Sequence, residues 1–161
     1  MQITSSFFII LLSSVLFIGQ SSANEVIAVE QKITVQIELP SFDKNQPNPY
    51  FSLWLSKENN QHKALVVIRE KVKWLRDLKK FWRSIARENR SESDAVTSAT
   101  NRSKKFNYEF IVDSTWDKIS LEVAREHGKR ELITLPISLT KSCVNGELEI
   151  EKFCIERGNN N

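Results

Sequence analysis

Apolar and polar residues alternate along several short stretches of this chain. In the clearest stretch, Lys32 to Leu39, every second residue is a large aliphatic one. A period of two predicts a strand with one buried face. Five further stretches show a similar short-strand pattern, at residues 50–55, 64–69, 106–112, 120–124 and 132–139. Short strands with little helix between them predict a mainly β chain folded as a β-sandwich.

One stretch, Val72 to Arg87, has a helical period instead. Its large apolar residues recur every three or four positions and so share one face of a predicted helix: Trp74, Leu75, Leu78, Phe81, Trp82 and Ile85. The opposite face is basic, because nine Lys or Arg against three acidic residues between Arg69 and Arg90 leave a local net charge of +6. The sequence therefore predicts one amphipathic basic helix inserted between strands. Either this helix packs on the sandwich with its cations in solvent, or it attracts an anionic membrane surface or a phosphate-bearing ligand.

The N-terminus has the features of an export signal. Residues Phe7 to Ile18 form an apolar run of twelve, which is too short to span a bilayer comfortably. Small residues, Ser21 and Ala23, occupy the positions that a signal peptidase recognises. The sequence predicts a cleaved signal peptide at residues 1–23, with an uncleaved signal anchor as the alternative. The predicted mature chain is exported, has no transmembrane segment and is not expected to bind nucleic acid.

Export places the two cysteines in an oxidising compartment. Cys143 and Cys154 lie on either side of Asn145-Gly146, a turn-forming pair, so a hairpin closed by a disulfide is predicted. A redox dithiol is the less favoured interpretation, because the spacing is not Cys-x-x-Cys. The predicted organisation is a signal peptide at 1–23, one domain at 24–140, and a disulfide hairpin with a polar tail at 141–161.

A short motif follows the basic segment. Asp94-Ala95-Val96-Thr97-Ser98-Ala99-Thr100 has the form Asp-x-x-Ser/Thr-Gly/Ser-Ala-Ser/Thr. It resembles the acceptor signature that periplasmic FAD:protein FMN transferases modify in flavin-carrying proteins. The resemblance implies that Thr100 becomes joined to FMN through a phosphodiester and that Asp94, Thr97, Ser98 and Ala99 complete the recognised segment. An acceptor needs a nucleophilic hydroxyl on an exposed loop. The alternative is an ordinary loop, because Asp, Ser and Thr are also turn and cap residues.

Other groups near the motif are candidates for contacts with a bound flavin. Arg87, Arg90 and Arg102 could neutralise its phosphate. Trp82 or Trp116 could stack on its ring, although a place in the core is the favoured interpretation for both tryptophans.

Four blocks of sequence occur in the order found in one known family. The blocks are residues 50–55 (YFSLWL), 73–83 (KWLRDLKKFWR), 94–100 (DAVTSAT) and 122–128 (EVAREHG). The chain resembles domain-of-unknown-function family 2271 of predicted periplasmic proteins over nearly all of Ile33 to Ile137. The resemblance implies an Ig-like sandwich and a periplasmic location. Genes of the family tend to lie near flavin transferases and membrane reductase components, which implies extracytoplasmic electron transfer.

The chain departs from the family pattern at two places. Ser98 stands where Gly is commoner in the acceptor motif, and residues 112–118 are shorter than the hairpin expected there. Elsewhere, His62 and His127 have no second His or Cys at ligand spacing, so no metal site is expected. No nucleophile elbow or Gly-rich phosphate loop is present in the sequence, so no catalytic residue is assigned.

Two hypotheses follow from these observations. In the first, the chain is an exported flavin carrier, with FMN attached covalently at Thr100. It receives that FMN from a periplasmic FAD:protein FMN transferase and exchanges electrons with a membrane reductase component. On this hypothesis it is a redox carrier or accessory subunit rather than a stand-alone enzyme. In the second, it is a cofactor-free Ig-like periplasmic binding or assembly module whose basic helix docks a partner.

Overall fold

The computed structural model describes residues 29–43, 45–95, 97–98 and 103–158. The predicted signal peptide, residues 1–23, lies outside these ranges, so it stays a prediction. The described strands are β1 (Glu30–Glu38), β2 (Tyr50–Ser56), β3 (His62–Ile68), β4 (Thr97–Ser98), β5 (Lys105–Asp113), β6 (Lys118–Ala124), β7 (Arg130–Pro136), β8 (Lys141–Asn145) and β9 (Lys152–Arg157). Each of the six strands expected from the alternation is present, within three residues of its predicted ends.

The strands form two sheets. Sheet A has the order β5-β1-β9-β8, and sheet B has the order β4-β3-β2-β6-β7. All neighbours are antiparallel except β3 and β4, which run parallel. Because β9 lies between β1 and β8, the C-terminal hairpin is built into sheet A. The prediction of a mainly β fold is confirmed, and the two sheets are consistent with an Ig-like sandwich.

Strand β2, in the centre of sheet B, is buried on both faces. Phe51, Leu53 and Leu55 point into the core between the two sheets. The alternate residues Tyr50 and Trp54 point outward, yet each is no more than 2% exposed. They belong to a second apolar cluster on the outer face of sheet B. That face therefore needs a covering layer, since apolar side chains of this size are strongly stabilised by removal from water.

A helical layer, residues 72–95, covers this outer face. It consists of a 3-10 helix (Val72–Arg76), helix α1 (Lys79–Phe81), a π-helix (Trp82–Ala86) and helix α2 (Arg90–Ala95). The predicted apolar side is correct, because Trp74, Leu75, Leu78, Phe81 and Ile85 are all buried. The predicted single helix is not continuous. Leu78 has φ −75° and ψ 72°, which is not helical, and the chain restarts a helix after it.

Glu122 determines where the helix starts again after Leu78. This strand β6 residue is 1% exposed, and its carboxylate accepts hydrogen bonds from the backbone N–H groups of Lys80 (3.0 Å) and Phe81 (2.9 Å). The first N–H groups of a helix have no partner within the helix and favour a negative charge nearby. The guanidinium Nε of Arg130 lies 3.6 Å from the same carboxylate. Glu122 thus joins the helical layer to the central part of sheet B.

The predicted disulfide between Cys143 and Cys154 is confirmed, across directly opposed positions of β8 and β9. The strands are joined by residues 146–151 rather than by a two-residue Asn-Gly turn. The Glu131 carboxylate holds this connection by accepting the backbone N–H groups of Glu147, Leu148, Glu149 and Ile150. Burial alone raises the pKa of Glu131, but the four N–H groups outweigh it and hold the pKa below its ordinary value.

We predict that Glu122→Gln lowers the free energy of unfolding by about 1.5–3 kcal/mol, because buried hydrogen bonds to a charged acceptor are weakened. Urea unfolding of both proteins measures the difference. Glu109→Gln is the control, since the Glu109 side chain is 63% exposed on strand β5. It should cost at most about 0.5 kcal/mol. Equal effects of the two substitutions would contradict a capping role for Glu122.

We predict that the double variant Cys143→Ser, Cys154→Ser is less stable by roughly 3 kcal/mol, because the disulfide closes a loop between cysteines eleven positions apart. Thermal unfolding of wild type with and without reductant checks the same effect without a substitution. The double variant itself should not respond to reductant. An unchanged melting temperature in reduced wild type would show that the disulfide does not stabilise the hairpin.

Candidate functional site

The acceptor-like motif begins in helix α2. Asn89 precedes this helix, and its Oδ1 accepts hydrogen bonds from the Glu92 N–H (3.2 Å) and the Ser91 hydroxyl (3.0 Å). Glu92 Oε2 accepts in turn from Asn89 Nδ2 at 2.8 Å. The second oxygen, Oε1, accepts the backbone N–H of Ala64 on β3 at 2.9 Å. An Asn and a Glu three residues apart thus cap α2 and fix it to sheet B.

After α2 the chain turns into the short edge strand β4. Thr97 and Ser98 pair with Val67 and Ile68 of β3. The Thr97 hydroxyl donates a hydrogen bond to the Ser93 carbonyl at 2.7 Å, which closes the turn. Thr97 is half-buried, whereas Ser98 is exposed at the sheet edge. The Thr97 hydroxyl is therefore engaged within the motif itself.

Arg69 connects both parts of the motif to sheet B. Its backbone N–H donates to the Ser98 carbonyl at 3.0 Å, and its guanidinium Nη2 lies 2.6 Å from Asp94 Oδ1. The Arg69 side chain is only 8% exposed, while Asp94 is 53% exposed. A buried guanidinium without a carboxylate partner costs free energy. The need of Arg69 for a partner therefore holds the Asp94 carboxylate in place. Among the described residues, Arg69 Nε has no hydrogen-bond partner.

The structure brings together three of the five predicted motif residues: Asp94, Thr97 and Ser98. Ala99 and Thr100 lie outside the described residues, so their role stays a prediction. The next described residue is Ser103. The carbonyl of the residue after it, Lys104, accepts a hydrogen bond from the Leu39 N–H at 2.7 Å. The motif therefore begins at the end of α2, includes the edge strand β4 of sheet B, and continues into the connection to the edge strand β5 of sheet A.

Sequence reasoning did not single out Arg69. Three other arginines were the candidates from sequence for neutralising the flavin phosphate. Of these, Arg87 is bonded to Glu88 at 3.1 Å, and Arg102 lies outside the described residues. The Arg90 guanidinium lies 5.9 Å from the centre of the Trp82 ring. The available signal was an arginine directly at the end of an apolar strand, where a charged side chain needs a partner if it is buried.

The two tryptophans considered for flavin stacking have other environments. Trp116 follows β5 at the end opposite to Lys105, and nine strand residues separate these ends by about 27 Å. Its ring packs against the core between the sheets, with the Lys57 ammonium 4.8 Å from the ring centre. Trp82 packs against the outer cluster, with the Arg76 guanidinium 5.5 Å away. Packing accounts for both rings.

Two hollows lie near the motif end of the molecule. The first, here called the loop hollow, has a volume of about 310 Å³ and is lined by residues from the 39–43 and 46–49 segments together with Ser103 and Lys104. The second, here called the basic cleft, has a volume of about 690 Å³. Its walls include the cations Lys73, Lys79, Arg125, Lys129 and Arg130.

The aromatic wall of the basic cleft is formed by Tyr50 and Trp74, whose rings stack with centres 5.3 Å apart. The Tyr50 hydroxyl donates to Asp77 Oδ2 at 2.9 Å. Burial, and next the bond to Asp77, raise the pKa of Tyr50, so it stays protonated at neutral pH. Three of the cations are already paired: Arg125 with buried Glu149, Lys73 with Glu126, and Arg130 with Glu122.

The histidines do not form a site in the described ranges. His62 Nδ1 lies 3.0 Å from the Ser56 hydroxyl, and burial, with Lys80 adding to it, lowers the pKa of His62. His127 has φ 59° in the turn between β6 and β7. No group of three or more His, Cys, Asp or Glu side chains in the described part is arranged to hold a metal ion. None of the described helices is long and apolar enough to cross a membrane.

The family model described as "Predicted periplasmic protein (DUF2271)" matches residues 32–152. The chain belongs to this family. The match runs from β1 to the first residue of β9, so it includes the helical layer and the motif of this DUF2271 protein. The name of the family supports a periplasmic location for the protein. No curated protein and no solved structure matches the chain significantly.

We predict that Asp94→Asn loosens the motif, because the buried Arg69 guanidinium loses its carboxylate. Since Asp94 is half-exposed, the expected cost is only about 1 kcal/mol. Exchange of the Arg69 amide hydrogen, which is bonded to Ser98, should accelerate and can be followed by NMR. Glu88→Gln is the control, because Glu88 pairs with an exposed arginine. Unchanged Arg69 exchange in Asp94→Asn would contradict the restraint.

Proposed function

We propose that this DUF2271 protein is an exported flavin carrier, with FMN joined covalently to Thr100, and that it takes part in periplasmic electron transfer. The observation that carries the proposal is the restraint of the acceptor-like motif by Arg69. Asp94 and Ser98 are both held at the edge of sheet B, and the chain continues from there towards Thr100. A segment that is held in place at an exposed sheet edge is suited to binding by another enzyme.

The engagement of the Thr97 hydroxyl supports Thr100 as the acceptor within the motif. Thr97 donates its hydroxyl to Ser93 and is half-buried, so it is poorly placed as a nucleophile. In the proposed transfer, the Thr100 Oγ forms a bond to the phosphorus of the FMN half of FAD. The pyrophosphate bond breaks, AMP leaves, and the hydroxyl proton passes to a base of the transferase. Bound FMN would then supply one- and two-electron redox chemistry.

The intact mass of the mature protein tests the proposal. The protein is produced with a periplasmic FAD:protein FMN transferase, and wild type should gain the mass of one FMN less one water. Thr100→Val should gain nothing, because it has no hydroxyl. Thr140→Val, at an exposed turn outside the motif, is the control and should be modified like wild type. An unmodified wild type, or a modified Thr100→Val, would overturn the proposal.

The second candidate function, a cofactor-free binding or assembly module, has one observation in its favour. The exposed side of the helical layer presents cations, among them Arg76, Lys79, Lys80 and Arg83, next to the basic cleft. Such a surface attracts an acidic partner and speeds its association. An unmodified wild type in the mass measurement would favour this second function, provided that the transferase modifies another acceptor in the same cells.

A further inference from the structure

We infer that the loop hollow is the docking site for the isoalloxazine ring of the FMN. The inference rests on the proposed function, because it concerns where the ring of a flavin attached at Thr100 lies. It adds a binding site, lined by residues from the 39–43 and 46–49 segments and by Ser103 and Lys104, to an attachment point that the motif alone suggests.

The loop hollow lies within reach of a ring attached at Thr100. Ser103 and Lys104 form part of the wall of the hollow, and they follow Thr100 by three and four residues. A chain of three residues spans at most about 10 Å, and the ribityl phosphate adds further length. A ring tethered at Thr100 can therefore reach the hollow without any rearrangement of the sandwich. Trp116, at the opposite end of β5, is too distant for the same role.

The walls of the loop hollow match the chemistry of a flavin ring. Pro40, Phe42, Pro47 and Pro49 give the hollow apolar surfaces, and a flavin ring is a largely apolar plane with a polar edge. The hollow contains one carboxylate and one ammonium, so its net charge is close to zero. That balance suits an uncharged ring. The basic cleft, by contrast, is lined mainly by charged side chains and suits an anion.

Contacts within the protein already hold the loop hollow in shape. Three proline rings restrict the backbone of the loop. The Arg125 guanidinium lies 4.2 Å from the centre of the Phe42 ring and donates a hydrogen bond to Gln46. The Leu39 N–H to Lys104 carbonyl bond, 2.7 Å long, joins the two walls. A preformed site costs little ordering entropy when the ring enters.

Lys104 gives the site a way to tune the flavin. Lys104 lines the hollow, and its ammonium donates a hydrogen bond to the Ser41 hydroxyl, so a positive charge would lie beside a docked ring. A cation near a flavin favours its anionic reduced form. We expect Lys104→Gln to lower the midpoint potential of the attached flavin, and Lys104→Arg to keep it near the wild-type value.

The experiment uses the full mature protein after modification, and its intact mass first establishes that FMN is attached. Acrylamide quenching of flavin fluorescence and visible circular dichroism then report on the ring. In wild type the ring should be shielded from acrylamide relative to free FMN and should show induced dichroism. In Phe42→Ala, quenching should rise toward that of free FMN while the attached FMN per chain stays the same.

Trp116→Phe is the matched control, an aromatic substitution at the other end of the sandwich that should change neither signal. Lys104→Gln, read by its potential, keeps the inference testable if Phe42→Ala does not fold. Wild type that carries FMN yet is quenched as freely as FMN in solution would overturn the docking site and leave the proposed function intact. A chain that carries no FMN would overturn both.

Discussion

One buried carboxylate, that of Glu122, anchors the helical layer on the outer face of sheet B. The outer face of sheet B carries Tyr50 and Trp54, which must be covered. The segment that covers it is strongly basic, so it needs a specific anchor as well as an apolar side. Glu122 provides one by accepting the N–H groups that a restarting helix leaves free. Together with the bonds of Glu92 to Ala64 and of Tyr50 to Asp77, this anchor holds the basic segment on the sheet.

The candidate site is a consequence of the same arrangement. Because the helical layer is fixed on sheet B, helix α2 ends beside the last residue of β3. The chain is then added to the sheet as the edge strand β4, and Arg69 holds it there through its backbone and its guanidinium. The base of the motif is rigid, whereas Ser98 is exposed. A restrained segment next to an exposed sheet edge would suit the covalent attachment that we propose at Thr100.

Much of the fold follows from the sequence, since alternation located the strands and the helical period located the apolar side of the covering layer. The break at Leu78 could not be foreseen, because its cause, Glu122, lies on a strand more than forty residues further along. Burial of Arg69 depends on pairing with Asp94, a contact between distant positions. The loop hollow was missed for a different reason: the loop from residue 40 to 49 is polar by composition, and only its conformation gathers the proline rings and Phe42 into one wall.

The measurement that tests the central claim most directly is the location of the flavin within the motif. Trypsin cleavage after Arg90 and Arg102 releases residues 91–102, which contain the whole motif in one peptide. Fragmentation of that peptide by mass spectrometry identifies the modified residue. The account predicts FMN on Thr100 alone, because the Thr97 hydroxyl is bonded to Ser93. FMN on Thr97 or Ser98, or a peptide that is never modified in the presence of active transferase, would contradict it.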